Sequence, residues 1–171
     1  EAAAYAEFRG KSLPTVYQWE KAARNGVINY QGMSLPWGVV YSMDNVQGRA
    51  NFNGKGTEPV DKYEFGISAF GCYNMAGNVS EWVLDIYRPM SFQDFDDLNP
   101  IRRDGFLDPA SGINSGYNSD FEKNPEAFTS LITDRARVYK GGSWKDVAYW
   151  MSPGTRRYLD QDSATATIGF R

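Results

Sequence analysis

Oxygen-bearing groups that could bind a metal ion are concentrated in residues 71–82. Asn74 can offer a side-chain carbonyl and Glu81 a carboxylate, while Gly77 and Val79 can add backbone carbonyls. An all-oxygen donor set of this kind is what a hard cation such as Ca²⁺ prefers. A glycine turn with a surface glutamate before a buried tryptophan is also common in loops, so the spacing alone leaves both interpretations open.

The residue counts exclude several kinds of catalytic site. The chain contains no histidine, so it has no Ser-His-Asp triad, no imidazole base and no histidine-bound zinc or iron. Its one cysteine, Cys72, cannot form a disulfide within the chain. We expect Cys72 to be a small buried hydrophobic residue rather than a reactive thiol.

Two helices are predicted in the first part of the chain. The first begins at the N-terminus and ends at Gly10. The second begins at Thr15, whose spacing to Gln18 is that of a capping box, and Gly26 is expected to end it. From residue 29 onward, short extended pieces alternate with turn residues, which predicts a loop-rich body.

Composition limits the size of the fold and the class of partner. The 171 residues, of which 42% are hydrophobic, suit one domain with a core of its own. A net charge of -3 argues against a nucleic-acid partner, whose phosphates require a basic face. No apolar run approaches the roughly 20 residues that a membrane-spanning helix needs.

Several motifs together resemble a known family. Residues 71–82 are similar to a signature of the formylglycine-generating-enzyme (FGE-sulfatase) domain. The other motifs occur in that family's order: Gly10-Lys11-Ser12-Leu13-Pro14-Thr15, Trp19-Glu20-Lys21-Ala22-Ala23-Arg24, Pro36-Trp37-Gly38, Asn51-Phe52-Asn53-Gly54, Arg137-Val138-Tyr139-Lys140-Gly141-Gly142-Ser143-Trp144 and the closing Gly169-Phe170-Arg171.

The resemblance implies an α+β fold of the FGE-sulfatase type, related to C-type lectins and loop-rich, with little regular secondary structure. It covers residues 1–171 as a single domain that begins within the family's first conserved helix, so we expect further residues upstream. Residues 88–134 separate motifs that lie closer together in many relatives, which indicates a long insertion. Its acidic and aromatic first half fits either a solvated surface loop or an interaction surface.

The resemblance also locates the positions at which the family's enzymes hold copper between two cysteine thiolates. Asp146 and Met151 stand at those positions in this chain. A carboxylate is a hard ligand and a thioether a weak neutral one, so the pair cannot reproduce a copper dithiolate. A second branch of the family, the iron-dependent sulfoxide synthases, uses histidine ligands that are missing here. We therefore predict a pseudoenzyme without copper, iron or zinc.

Calcium is the metal that the resemblance supports. Asn74, Gly77, Val79 and Glu81 match the residues that hold one calcium ion in the family's enzymes. A second family site matches Asn51 and Phe52, but the loop that follows brings Lys55 where an acidic residue is expected.

Other charged residues lie near the altered positions, and ion pairs are their expected role. The basic members are Lys140, Lys145, Arg156 and Arg157, and the acidic members are Asp146, Asp160 and Asp162.

Two further segments, residues 87–90 and 148–157, look like those of GldJ-type gliding-motility lipoproteins, with the GldK type next. That resemblance implies a scaffold on the periplasmic face of a Bacteroidota outer membrane, with a lipid anchor upstream of Glu1. Its partners would be other protein subunits of the gliding and type IX secretion machinery. The alternatives are an enzyme with an unrecognised site and a calcium-dependent glycan- or peptide-binding module.

Overall fold

The computed structural model describes residues 1–24, Pro36, residues 43–87 and residues 135–171. Helix α1 (Ala2–Phe8) ends as predicted, because Gly10 has a φ of 67° and its N–H donates to the Glu7 carbonyl at 2.8 Å. The next N–H, from Lys11, donates to the Ala6 carbonyl at 2.8 Å. This pair of hydrogen bonds is the Schellman arrangement that glycine favours at a helix end.

Helix α2 (Val16–Ala23) begins with the predicted capping box. The Gln18 N–H donates to the Thr15 hydroxyl at 3.2 Å, and the Thr15 N–H donates to the Gln18 side chain at 2.9 Å. The helix ends earlier than expected, since Arg24 is already extended (ψ 143°) and residues 25–35 lie outside the described part. Its buried residues are Val16, Trp19, Glu20 and Ala23.

The remaining elements are short, as the sequence predicted. Helix α3 (Met43–Val46) was not predicted, because its four residues carry no helical periodicity. The described residues also contain two 3₁₀ helices, at Glu64–Gly66 and Ala148–Met151. The strands are β1 (Ser80–Ile86), β2 (Ala136–Lys140), β3 (Arg157–Asp160) and β4 (Ile168–Gly169).

The strands form one sheet in the order β3-β2-β1-β4. Strand β4 is parallel to β1, with Ser80 opposite Ile168 and Glu81 opposite Gly169. This register brings the C-terminal residues beside the loop that precedes β1. Helices with a sheet of this kind make an α+β fold, as predicted. In the part of the chain that the structure describes, no helix is long and apolar enough to cross a membrane.

The chain divides into two compact units. That residues 1–171 form a single domain stays a prediction. The larger comprises Glu1–Leu84, Tyr139–Arg157 and Ala164–Arg171, and the smaller comprises Asp85–Val138 and Tyr158–Ser163. One core cluster of the larger unit consists of Val46, Ala50, Ala76, Ala148 and Met151. In the smaller unit, Ala136 and Val138 are buried. The predicted insertion at 88–134 lies outside the described residues.

Candidate functional site

The predicted metal-binding loop is a series of tight turns in which asparagine and glycine adopt left-handed backbone conformations. Asn74, Gly77 and Asn78 all have positive φ angles, of 53°, 78° and 68°. Glycine adopts this conformation without strain and asparagine tolerates it better than most residues. The Gly77 N–H donates to the Gly141 carbonyl at 2.8 Å, which ties the loop to the segment after β2.

Asn51 has a structural role at the predicted second calcium site. Its Nδ2 donates to the Gly56 carbonyl at 2.9 Å and to Asn78 Oδ1 at 3.2 Å. Phe52 packs partly buried against the core cluster of the larger unit. The Asn51 amide group thus fixes the following loop to residues 71–82. A second calcium ion at Asn51 and Phe52 stays a prediction.

Glu81 is the buried acid of the loop, and basic and indole groups surround its carboxylate. The Trp19 Nε1–H donates to Oε2 at 2.6 Å, and Arg171 Nε lies 2.8 Å from both carboxylate oxygens. Arg171 Nη2 also donates to Oε1. Burial raises the pKa of Glu81, and the Arg171 guanidinium and the Trp19 N–H act in the opposite direction. The short contacts indicate an ion pair.

These contacts test whether the loop fits a calcium ion. A carboxylate has about four acceptor positions, and three N–H groups of Trp19 and Arg171 donate to them, with the Arg171 Nε–H shared between both oxygens. The Asn74 side chain donates through Nδ2 to the Val60 carbonyl at 3.1 Å, and this bond does not use the side-chain oxygen Oδ1 that the prediction assigns to calcium. Glu81 is the only charged residue among the four candidate ligands, and its pairing with Arg171 takes that charge out of the set. Calcium at Asn74, Gly77, Val79 and Glu81 stays a prediction, and the pairing of Glu81 counts against it.

Both carboxylate oxygens of Asp146, at the first altered catalytic position, accept hydrogen bonds from nearby groups. The Ser143 N–H and hydroxyl donate to Oδ2 at 2.9 and 2.6 Å, and Arg157 Nη1 donates to Oδ1 at 2.7 Å. The Arg157 guanidinium also lies 4.6 Å from the Trp150 ring and 5.1 Å from the Tyr139 ring. Such stacking on aromatic faces orients an arginine. Asp146 therefore stabilises the segment before the 3₁₀ helix.

Met151, at the second altered position, is part of the core. Its side chain is fully buried in the cluster with Val46, Ala50, Ala76 and Ala148. A thioether in that position has no access to a substrate. Across residues 1–24, Pro36, 43–87 and 135–171, no group of three or more Cys, Asp and Glu side chains is arranged to hold a metal ion.

A buried charge network was missed by the sequence analysis. Lys140 Nζ donates to Glu20 Oε1 at 2.9 Å, to the Pro153 carbonyl at 2.7 Å and to the Thr155 carbonyl. Arg156 Nε donates to the same Glu20 oxygen at 3.0 Å. Glu20 is four residues after Val16 and one after Trp19, so it lies on the apolar stripe of α2, and that position was the available signal.

The expected ion pairs form only in part. Arg157 does pair with Asp146, whereas Lys140 and Arg156 pair with Glu20 instead of the predicted aspartates. In the smaller unit, Asp160 and Asp162 pair with Arg135. The prediction rested on nearness in the sequence, while α2 brings Glu20 to Lys140 from far away in the chain.

The Lys140 network should make stability depend on pH. Burial is the main cause that lowers the pKa of Lys140 from 10.5 to about 8, although Glu20 acts to raise it. A lysine with a depressed pKa in the folded state costs stability while it is charged, so that cost disappears as pH rises from about 8 towards 10.5. We expect the free energy of unfolding of the wild-type chain, relative to that of Lys140→Met, to increase between roughly pH 7.5 and 9.5. Denaturant unfolding of both chains measures it, and a constant or shrinking difference would contradict the assignment.

Comparison with known proteins gives the family. The model of the sulfatase-modifying factor enzyme 1-like domain, the FGE-sulfatase family, matches residues 1–171. The chain belongs to this family. The FGE-sulfatase domain predicted from the motifs is thereby confirmed over the whole chain.

The relatives of this FGE-sulfatase chain include proteins named as enzymes and proteins named as inactive. It is 39% identical to the formylglycine-generating enzyme of Thermomonospora curvata over 187 residues, covering 100% of this chain and 52% of the enzyme. It is 31% identical to the inactive C-alpha-formylglycine-generating enzyme 2 of Mus musculus over 121 residues, covering 66% and 37%. The chain spans 22% to 52% of the length of the curated relatives it matches.

A solved structure supports the fold. PvdO from Pseudomonas aeruginosa matches with a TM-score of 0.60 at 23% identity, covering 99% of this chain and 56% of that chain. At this identity the match shows the FGE-sulfatase fold alone. The relation to C-type lectins stays a prediction.

Proposed function

We propose that this FGE-sulfatase chain is a non-catalytic scaffold domain, a pseudoenzyme that binds other proteins. One observation carries the proposal. At the two positions that match the family's cysteines, Met151 is fully buried in the core and Asp146 is bonded to Ser143 and Arg157. Neither side chain can act as a soft thiolate, so the copper chemistry of the family has no ligands here.

Family membership does not decide between an enzyme and a scaffold, because both kinds occur among the relatives. Donor chemistry favours the scaffold. Iron and zinc are excluded from the proposal on the same ground, since there is no histidine and only one cysteine in the chain. An enzyme with an unrecognised site is the rival, and turnover of any substrate at the Asp146 segment would favour it.

The proposed setting is the cell envelope. The resemblance to GldJ-type lipoproteins, with the GldK type next, supports a role in gliding motility and type IX secretion. It would place the domain on the periplasmic face of an outer membrane, anchored by a lipid upstream. Residues 88–90 of the supporting motif lie outside the described part, whereas residues 148–157 are described.

Exposed apolar side chains beside Asp146 support a role in protein binding. Val147 is 54% exposed and Tyr149 is 58% exposed. The Tyr149 ring packs edge-on against Trp150, with 4.9 Å between centroids. Aromatic groups are enriched in protein interfaces. They also suit a glycan or peptide, which is the second candidate function, and a glycan array would separate the two.

The activity test uses a cysteine-bearing peptide with Cu(I) and oxygen, read by mass spectrometry for the aldehyde. We expect no product above the protein-free control, because the copper ligands are missing. The 39% identical Thermomonospora curvata enzyme is the matched positive control. Aldehyde formed by this chain would overturn the pseudoenzyme proposal.

The interaction is tested by affinity purification of the full-length protein from its native envelope, with mass spectrometry of the proteins that accompany it. Envelope proteins in reproducible stoichiometry support the scaffold. Recovery of the protein alone, under conditions that keep other envelope complexes intact, would contradict it.

A further inference from the structure

The C-terminal arginine lies where the sequence predicts a metal ion. Gly169 in β4 is opposite Glu81 in β1, so Arg171, two residues later, reaches the same side of the loop. The preceding Phe170 packs its ring edge-on against Tyr5 in α1, with 5.7 Å between centroids. The strand register and this aromatic contact together fix the segment that carries Arg171.

The Arg171 guanidinium joins three parts of the loop. Its Nε lies 2.8 Å from each oxygen of Glu81, and Nη2 donates to Oε1 of the same carboxylate. Nη2 also donates to the Tyr73 carbonyl at 3.0 Å and to the Asn74 carbonyl at 3.3 Å. One positive group therefore connects a buried carboxylate with two backbone carbonyls of the preceding turn. A bound cation with oxygen ligands would make the same kind of connection.

The Glu81 carboxylate is already engaged by a cation. Three N–H groups of Trp19 and Arg171 donate to its two oxygens, and the Arg171 Nε–H is shared between both, while a carboxylate offers about four acceptor positions. Ca²⁺ requires six to eight oxygen ligands, and a charged carboxylate is the member that its affinity depends on most. A calcium ion could bind Glu81 here only by displacing the guanidinium.

We propose that Arg171 is the cation of the loop formed by residues 74–81, in place of the calcium ion that the sequence predicts there. Glu81 is only 4% exposed, so its charge needs a partner inside the protein. The planar guanidinium meets this need with two donors on the carboxylate, a geometry that lysine lacks. The contacts between Arg171 and the loop then form at any calcium concentration, because the positive charge is part of the chain itself.

The test compares thermal unfolding of the purified chain in EGTA, in CaCl₂ and in MgCl₂ at matched ionic strength. We expect the wild-type Tm to be the same in all three. Arg171→Ala should lower Tm by roughly 5–10 °C, because Glu81 is left buried and unpaired. Arg135→Ala is the matched control, since it also removes an arginine that pairs with carboxylates, but one whose side chain is 51% exposed. Its Tm should stay close to the wild-type value.

Two outcomes would overturn the proposal. One is a wild-type chain that retains stoichiometric calcium after dialysis and has a lower Tm in EGTA than in CaCl₂. The other is an Arg171→Ala chain as stable as Arg135→Ala. If Arg171→Ala does not fold, Arg171→Lys keeps the charge without the fork, and its Tm should fall by less and remain independent of calcium. These measurements do not involve a partner or an activity, so the proposed function can fail without affecting them.

Discussion

Replacing Lys140 with methionine is expected to lower the free energy of unfolding by about 1–3 kcal/mol, the usual cost of leaving buried acceptors without a donor, because Arg156 still pairs with Glu20. The Lys140 side chain is 0% exposed and its ammonium group bonds to Glu20 and to two backbone carbonyls. Methionine fills a similar volume, so packing changes little. The loss comes from acceptors that remain buried without their donor.

Chemical unfolding at neutral pH measures the effect, and Lys62→Met is the control. Lys62 pairs with Glu58 at 2.9 Å, but its side chain is 47% exposed. Exposed pairs contribute little, so the control should unfold at nearly the wild-type midpoint. Equal effects of the two substitutions would show that the Lys140 network contributes no more than a surface pair.

Replacing Gly77 with alanine is expected to cost about 3–5 kcal/mol, from a strained φ and a steric clash together. Gly77 has a φ of 78°, and a Cβ added there would lie 2.4 Å from the Asn51 carbonyl oxygen. That oxygen also accepts a hydrogen bond from the Asn78 N–H at 2.8 Å, so it cannot move without breaking a buried contact. The substitution should therefore disrupt the loop that carries Glu81.

Gly71→Ala separates the two causes. Gly71 lies in the same segment and has the same φ of 78°, but no atom of the described residues would lie within 4 Å of a Cβ added there. Only the backbone strain remains, which costs about 1–2 kcal/mol. The difference between the two variants, measured by urea unfolding, gives the cost of the contact with Asn51. If the two losses are the same, the close approach has no energetic role.

Local patterns predicted the local structure well. The capping box of Thr15 and Gln18 and the helix end at Gly10 follow from spacing over three to five residues, and the structure shows both. The family motifs predicted the FGE-sulfatase domain, and the family model confirms it over residues 1–171. Helix α3 had no such pattern and was missed.

Partners that lie far apart in the sequence could not be predicted. Arg171 and Glu81 are 90 residues apart, and nothing near Glu81 indicates which cation it meets. The candidate ligands lie in one loop and stay a prediction, because the charge balance of that loop depends on a strand pairing that the sequence does not reveal. By contrast, Arg157 was expected from its proximity in the sequence as a partner of Asp146, and it does pair there. The burial of Met151 could not be predicted without the fold.

The Lys140 network also affects the order in which the chain can fold. Glu20 and Lys140 are 120 residues apart, so the residues of α2 are synthesised well before the lysine with which Glu20 pairs. Contacts at this separation form late, because closing so long a loop costs entropy before any contact repays it. Until then Trp19 and Glu20 must stay in water or against other groups. The N-terminal helices thus depend on a later part of the chain for their final packing, and nascent chains cut short before β2 cannot bury them in the native way.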